Sequence, residues 1–138
     1  MTTLRLGITG YSAQVFNQES ARIILSQYFD AVASTGKEIV IVSGLTNLGI
    51  PAIAYQLAFE RAWKTVGIAC SKAVEFPCFP CTQVIIEGTE WGQESELFLQ
   101  SIDQLIRVGG GNQALKETEA ARRKGIQVIE FDLPALVR

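Results

Sequence analysis

Glycine-bearing segments are the part of this sequence whose residue types and spacing most clearly suggest ligand chemistry. They are TGYSA (9–13), SGLTNLG (43–49) and GGGNQ (109–113). Glycine lets backbone N–H groups approach an oxyanion such as phosphate, and a helix that follows adds its positive dipole end. The residues that we predict to bind a phosphate-bearing ligand are Gly10, Ser43, Gly44, Gly109, Gly110, Gly111, Asn112 and Gln113. The alternative interpretation is that these glycines serve tight turns and strand–helix packing.

Carboxylates form a second group of candidate functional residues. They are Glu87, Glu90, Glu94, Glu96 and Glu117. Paired carboxylates can hydrolyse glycosidic bonds, N-ribosyl bonds included, through an oxocarbenium-like transition state. Glu94 and Glu96 are two residues apart and would not share a helix face. We therefore expect most of this set to be a solvated surface, with some members beside helix N-termini.

Other common catalytic and metal chemistries are poorly supported by the composition. The chain has no histidine, which excludes Ser-His-Asp and Cys-His mechanisms, and it has three cysteines. CFPC (78–81) has redox or zinc spacing, but prolines make the segment an extended loop and further zinc ligands are lacking. We expect loop thiols without shared chemistry and no metal site. The glycine segments match neither the P-loop nor the dinucleotide pattern.

The elements that must position these residues alternate between strands and helices. Strands are predicted at 4–9, 38–43, 65–70, 83–87, 104–108 and 126–131, and helices at 17–35, 51–64, 93–102 and 112–124. Alternation predicts parallel β-α units with helices on both faces, hence an α/β three-layer Rossmann-like sandwich with a mostly parallel sheet. Residues 1–138 are predicted to form a single domain. The glycine segments would then follow the carboxyl ends of strands, where ligands bind in such folds.

Charge and hydropathy restrict the partners and the compartment. The net charge of −2 does not favour nucleic-acid backbones, which bind mainly through Lys and Arg. No segment has the ~18 continuous apolar residues of a membrane span. The first ten residues lack the pattern of a signal peptide, so we expect a cytoplasmic location and no membrane partner.

The order of the motifs resembles a known superfamily. SGLTNLGIPAIAYQLAFERAWKTVGIAC (43–70), GGGNQALKE (109–117) and KGIQVI (124–129) are similar to segments shared by three groups. These are the Lonely-guy (lysine-decarboxylase-like) cytokinin phosphoribohydrolases, the molybdenum cofactor carrier proteins and the Rossmann-like core of DNA-processing protein A. The resemblance implies an AMP-like nucleotide or molybdenum cofactor as ligand, and homo-oligomers. It also places Glu117 facing the pocket as the candidate catalytic carboxylate.

The departures from the enzyme pattern PGGxGTxxE bear on activity. Gly110, Gly111 and Glu117 match it, whereas Gly109 replaces proline, and Gln113 and Ala114 replace Gly-Thr. Counting back by spacing places Glu94 where the enzymes carry an arginine.

We therefore expect binding of a nucleotide or phosphorylated small molecule without the full hydrolase apparatus. Two alternatives remain open: a nucleoside 5′-monophosphate phosphoribohydrolase that uses Glu117, and an oligomeric scaffold without a ligand. Tyr55, Phe59 and Trp63 recur at four-residue spacing, which predicts an aromatic edge for a homodimer or larger assembly, unless all three rings belong to the core. Trp91 could stack on a base or simply pack.

Overall fold

A computed structural model of the protein describes residues 2–136. It contains six strands and four helices in strict alternation apart from one short 3-10 helix, Ser71–Glu75, between the third and fourth strands. The strands are β1 Thr3–Gly10, β2 Glu38–Ser43, β3 Lys64–Ala69, β4 Gln83–Ile86, β5 Gln104–Val108 and β6 Gln127–Phe131. The helices are α1 Gln18–Ala33, α2 Gly49–Glu60, α3 Ser95–Gln100 and α4 Asn112–Arg123. No helix in this described part of the chain is long and apolar enough to cross a membrane.

The six strands form one parallel sheet in the order β4-β3-β2-β1-β5-β6. The chain moves outward from β1 to β4 and then returns to the other side of β1. This reversal between β1 and β5 opens a crevice at the carboxyl ends of the strands, which is where such folds bind ligands. The predicted three-layer α/β architecture is confirmed, and the sheet is parallel throughout.

Two hydrophobic clusters, one on each face of the sheet, hold the layers together. Leu25 and Phe29 of α1 and Leu57 of α2 pack with Ile8 and Ile41 of the sheet. Strand residues with side chains on the opposite face pack against α3 and α4; they are Val40, Val42, Val66, Ile68 and Leu105. Because both faces are covered, the central strands are apolar runs without a polar alternation.

The predicted helix ends need small corrections. Asn17 caps α1, since its side-chain oxygen accepts a hydrogen bond from Ser20 N at 2.9 Å. Helix α2 begins at Gly49, two residues before the predicted start at Pro51. Helix α4 begins at Asn112, as predicted; Gly111 precedes the helix, and no side chain caps it.

The aromatic stripe predicted on α2 is mostly internal. Tyr55 is fully buried, stacks on Phe79 and donates its hydroxyl hydrogen bond to the carbonyl oxygen of Gly44 at 2.6 Å. Trp63 follows the helix and packs on Phe29 with ring centroids 5.3 Å apart. Phe59 is the exception, because 78% of it is exposed. The core interpretation therefore holds for two of the three rings.

Candidate functional site

A cavity of about 500 Å³ lies over the carboxyl ends of β1, β2 and β3. Thr9 and Gly10 end the first of these strands, Ser43 ends the second and Ala69 the third. The loop at 44–48 and the start of α2 form one wall, and the first turns of α4 form the opposite wall. The volume falls within the range of ordinary small-molecule sites, roughly 300–1,000 Å³.

Two helix N-termini open onto this cavity. Leu48 and Pro51 at the start of α2 line it, as do Gln113 and Ala114 in the first turn of α4. Neither helix has a side-chain hydrogen bond at its cap. The first N–H groups of a helix have no partner within the helix and carry its positive dipole end. At the start of α4 these groups are available to an anion, whereas at the start of α2 Ile50 N donates to the carbonyl oxygen of Tyr11 at 2.8 Å and Pro51 has no N–H.

Glu117 is a buried carboxylate in the cavity wall. The hydroxyl of Thr9 donates a hydrogen bond to its Oε1 at 2.7 Å, and the hydroxyl of Ser95 donates to its Oε2 at 3.2 Å. Gln113 adds a longer contact from Nε2 to Oε2 at 3.5 Å. Burial raises the pKa of the Glu117 carboxyl, the three hydrogen bonds oppose that rise, and the charge of Glu94 adds to it.

Glu94 is the second buried carboxylate in the cavity wall, with 6% of the residue exposed. Both of its carboxylate oxygens accept from Gly92 N at 3.2 Å. The sequence expectation of a solvated acidic set is therefore wrong for this residue. It is correct for Glu87, Glu90 and Glu96, which are exposed. The sequence analysis named Glu94 as a candidate but did not predict its burial, because it follows a short turn of polar residues, a setting in which glutamate is ordinarily solvated.

The rim of the cavity is apolar and aromatic. Phe76 and Trp91 line it, with ring centroids 6.0 Å apart and a tilt of 50°. About half of each residue is exposed. Pro77 is fixed against the opposite loop, because its carbonyl oxygen accepts a hydrogen bond from Asn47 N at 2.9 Å. Rings placed at a mouth in this way can cover the flat face of a bound heterocycle.

The structure brings together part of the predicted site. Five of the predicted residues line the cavity: Gly10, Ser43, Gly44, Gln113 and Glu117. Four do not line it: Gly109, Gly110, Gly111 and Asn112. Sequence reasoning missed Thr9 and Ser95, the hydroxyl partners of Glu117. The position of Thr9 at the end of β1, beside a predicted glycine, was a usable signal, whereas Ser95 carried none.

The first glycine of the triple-glycine loop has a packing role. A Cβ on Gly109 would overlap the ring of Tyr11, and the backbone there is left-handed with φ 67°. The side chain of Arg107 also donates a hydrogen bond to the carbonyl oxygen of Gly109. Gly110 and Gly111 have open space around them. The nearest atom to a Cβ placed on Gly110 would be Arg107 Nη1, at 3.9 Å, and a Cβ on Gly111 would meet nothing within 4 Å. The turn-and-packing interpretation thus accounts for Gly109.

The cysteines lie apart from the carboxylates. Cys70 is buried, Cys78 is exposed and Cys81 is partly buried. Burial raises the pKa of the Cys81 thiol, which makes it a weaker nucleophile. Within residues 2–136 no cluster of three or more metal-ligating side chains is found.

Solved structures with the same fold include proteins of molybdenum cofactor handling. A molybdenum cofactor binding protein from the phototrophic bacterium Rippkaea orientalis has a TM-score of 0.79 and 23% identity, over 96% of this chain and 78% of that chain. The molybdenum cofactor carrier protein of Chlamydomonas reinhardtii has a TM-score of 0.75 and 19% identity, over 93% of this chain and 76% of that chain. The resemblance drawn from the sequence is thus confirmed at the level of the fold. No family model matches the sequence, and no curated protein matches it significantly.

Proposed function

We propose that the protein binds a nucleotide or another phosphorylated heterocycle in the cavity and releases it unchanged. The observation that carries this proposal is the composition of the cavity wall. Apolar surface and two rim aromatics offer a place for a flat ring, and the uncapped N-terminus of α4 offers N–H groups to a phosphate. A small number of polar groups in a mostly apolar cleft is the usual design of a small-molecule site.

The phosphate would be held by backbone groups, because cationic side chains are lacking at this site. Among the described residues that line the cavity, none is Lys or Arg. The charge that opposes the phosphate must then come from the positive dipole ends of α2 and α4, and the N–H groups mainly from the first turn of α4. Gly44, in the loop before α2, leaves the cavity open at that point, since a Cβ there would meet nothing within 4 Å. Such a site suits reversible binding better than transfer of the phosphate.

The molybdenum cofactor is one candidate ligand, since two proteins with this fold are described as binding or carrying it. The residues present fit a phosphorylated pterin. Glu94 and Glu117 could accept hydrogen bonds from its ring, Trp91 could cover the ring, and the helix termini could hold the phosphate. An AMP-like nucleotide is the other candidate, with the same division of roles.

Hydrolysis of a nucleoside monophosphate is the second candidate function, and Glu117 is the observation that favours it. A buried carboxyl whose pKa is raised by burial is a candidate group for proton transfer. The neighbouring group is Glu94, however, at the position where the enzyme pattern has an arginine, so Glu117 lacks a cationic partner. We therefore expect the protein not to release ribose 5-phosphate from AMP.

Two measurements separate these functions. Thermal-shift titrations with AMP, GMP and inorganic phosphate should raise the unfolding midpoint, since a ligand at 100 times its Kd stabilises by about 2.7 kcal/mol. Turnover of AMP approaching ~1 s⁻¹, the low end for enzymes, would contradict the binding proposal. Its loss in Glu117→Gln would then assign catalysis to Glu117. If none of these ligands shifts the unfolding midpoint, the result favours the alternative of an oligomeric scaffold without a ligand.

We also propose that the protein self-associates. Phe59 on the outer side of α2 is 78% exposed, and Ile23 on the adjacent α1 is 49% exposed. Sedimentation velocity at micromolar concentration should show a dimer or larger species, and Phe59→Gln should weaken it. A pure monomer in the wild type would refute the proposal.

A further inference from the structure

The two carboxylates of the cavity are not matched by any positive side chain. Glu94 and Glu117 are both at least nine-tenths buried. The described lining residues include no Lys or Arg, and none of the ion pairs found in residues 2–136 involves either glutamate. Burying an uncompensated carboxylate is costly, so a pair of them in one cavity indicates that the missing donors come from a ligand.

Both glutamates retain unused acceptor capacity. An ionised carboxylate offers about four lone-pair sites. Glu117 already accepts three hydrogen-bond contacts, of which the one from Thr9 is the shortest, at 2.7 Å. Glu94 receives one N–H, that of Gly92, shared between its two oxygens at 3.2 Å. Glu94 therefore has no side-chain partner of its own, although the cavity wall hides it from bulk water.

A donor-rich ring edge fits this arrangement better than a metal ion or a phosphate. No cluster of three or more metal-ligating side chains is found in the described residues, and two carboxylates repel an anion. The walls are mainly apolar, with Phe76 and Trp91 at the rim. A flat ring with adjacent N–H donors would satisfy a carboxylate through two parallel hydrogen bonds and pack its faces on these walls.

We propose that Glu94 and Glu117 select a heterocycle with the 2-amino-4-oxo pyrimidine edge, as in guanine or a pterin, over the adenine edge. The guanine edge presents N1–H and the 2-amino group side by side, both as donors. Adenine presents one amino donor beside the N1 acceptor, whose lone pair would face a carboxylate oxygen. This inference rests on the proposed binding function and specifies its ligand.

Calorimetric titration with GMP, IMP and AMP tests the selection. GMP presents N1–H and the adjacent amino group as donors, IMP presents N1–H alone, and AMP presents its amino group alone. We expect GMP to bind about tenfold more tightly than AMP, with IMP between them, as for bidentate base recognition. AMP binding as tightly as GMP would overturn the selection and leave the binding function standing. No measurable binding of any of the three at millimolar concentration would overturn both.

Variants assign the selection to the two carboxylates. Glu117→Gln and Glu94→Gln keep the side-chain volume but replace one acceptor oxygen with a donor, and each should remove most of the GMP preference. Glu96→Gln is the matched control, since Glu96 is exposed and does not line the cavity. A GMP preference unchanged in both cavity variants would contradict the assignment, as would an equal loss in the control. Thermal midpoints of the apo proteins establish that each variant is folded.

Discussion

Two clusters of charged side chains involve helix α4, and they differ in whether the chain neutralises them. In the first, the buried Arg107 donates from Nε to Glu130 at 2.9 Å and from Nη2 to Asp132 at 2.8 Å. Arg122 of α4 also pairs with Glu130. In the second, Glu94 and Glu117 face the cavity without a cation among its described lining residues. The first cluster joins β5, β6 and α4, whereas the second leaves its acceptors available to a ligand.

The two clusters shift the pKa of a glutamate in opposite directions. Hydrogen bonds from Arg122 and Arg107 hold the pKa of Glu130 below its ordinary value. Burial raises the pKa of Glu117. The charged form of Glu130, which has partners in the chain, thus stabilises the fold. The charged form of Glu117, in the cavity, destabilises the fold. In this molecule an uncompensated buried charge, more than a glycine-rich loop, supports the proposed ligand site.

The largest expected effect is a loss of stability when the cluster around Arg107 is broken. Arg107→Met should lower the free energy of unfolding by about 3 kcal/mol, because it removes the hydrogen bonds from one buried guanidinium to Glu130, Asp132 and the carbonyl oxygen of Gly109. Urea denaturation measures the change. Arg123→Met is the control, since Arg123 is exposed in the last turn of α4, and it should change stability by less than about 0.5 kcal/mol. Equal losses would mean that the Arg107 network contributes nothing specific.

Next in size is the effect of a side chain in the triple-glycine loop. Gly109→Ala should cost about 2 kcal/mol, since the backbone is left-handed and the Cβ would meet Tyr11. Gly111→Ala should change stability by less than about 0.5 kcal/mol, because its Cβ would enter open space. Thermal or urea unfolding of the apo proteins distinguishes them. Similar costs at both positions would contradict the packing role of Gly109.

Gly110→Val tests the phosphate prediction that remains for this loop. A Cβ at Gly110 meets no atom closer than 3.9 Å, so the apo midpoint should hold. If the loop binds phosphate, the shift induced by AMP or GMP should fall in the variant. Equal ligand-induced shifts in both proteins would mean that these glycines serve the turn alone.

The smallest effect is a gain in stability when the cavity carboxylate is neutralised. Glu117→Gln should raise the free energy of unfolding by up to about 1 kcal/mol at pH 7. The folded pKa lies above its ordinary value of 4.5, so the folded state binds more protons than the unfolded state in that window. Wild-type stability should therefore fall, relative to the variant, as pH rises through the raised pKa. A stability difference between wild type and variant that does not change with pH would contradict the raised pKa of Glu117.

The sequence was sufficient for the fold because its signals are local. Runs such as EIVIVS (38–43) and the helical spacing that follows are read within one window, and parallel pairing follows from their alternation. The role of Gly109 was misjudged because the ring that packs on it, Tyr11, is distant in sequence. The burial of Glu94 was missed for the same reason, because the cavity wall is assembled from segments that are separated in the sequence. Glu117 was found through a motif whose spacing is local.

Native mass spectrometry of the purified protein tests most directly the proposal that the cavity holds a small molecule. Gly44 lines the cavity, and a Cβ there would meet nothing within 4 Å, so Gly44→Leu should fill the space without disturbing the fold. Gln56→Leu adds the same side chain at an exposed position of α2. We expect a bound small-molecule mass in the wild type and in Gln56→Leu, and its loss in Gly44→Leu. A wild-type spectrum without a bound mass, or one retained by Gly44→Leu, would contradict the account.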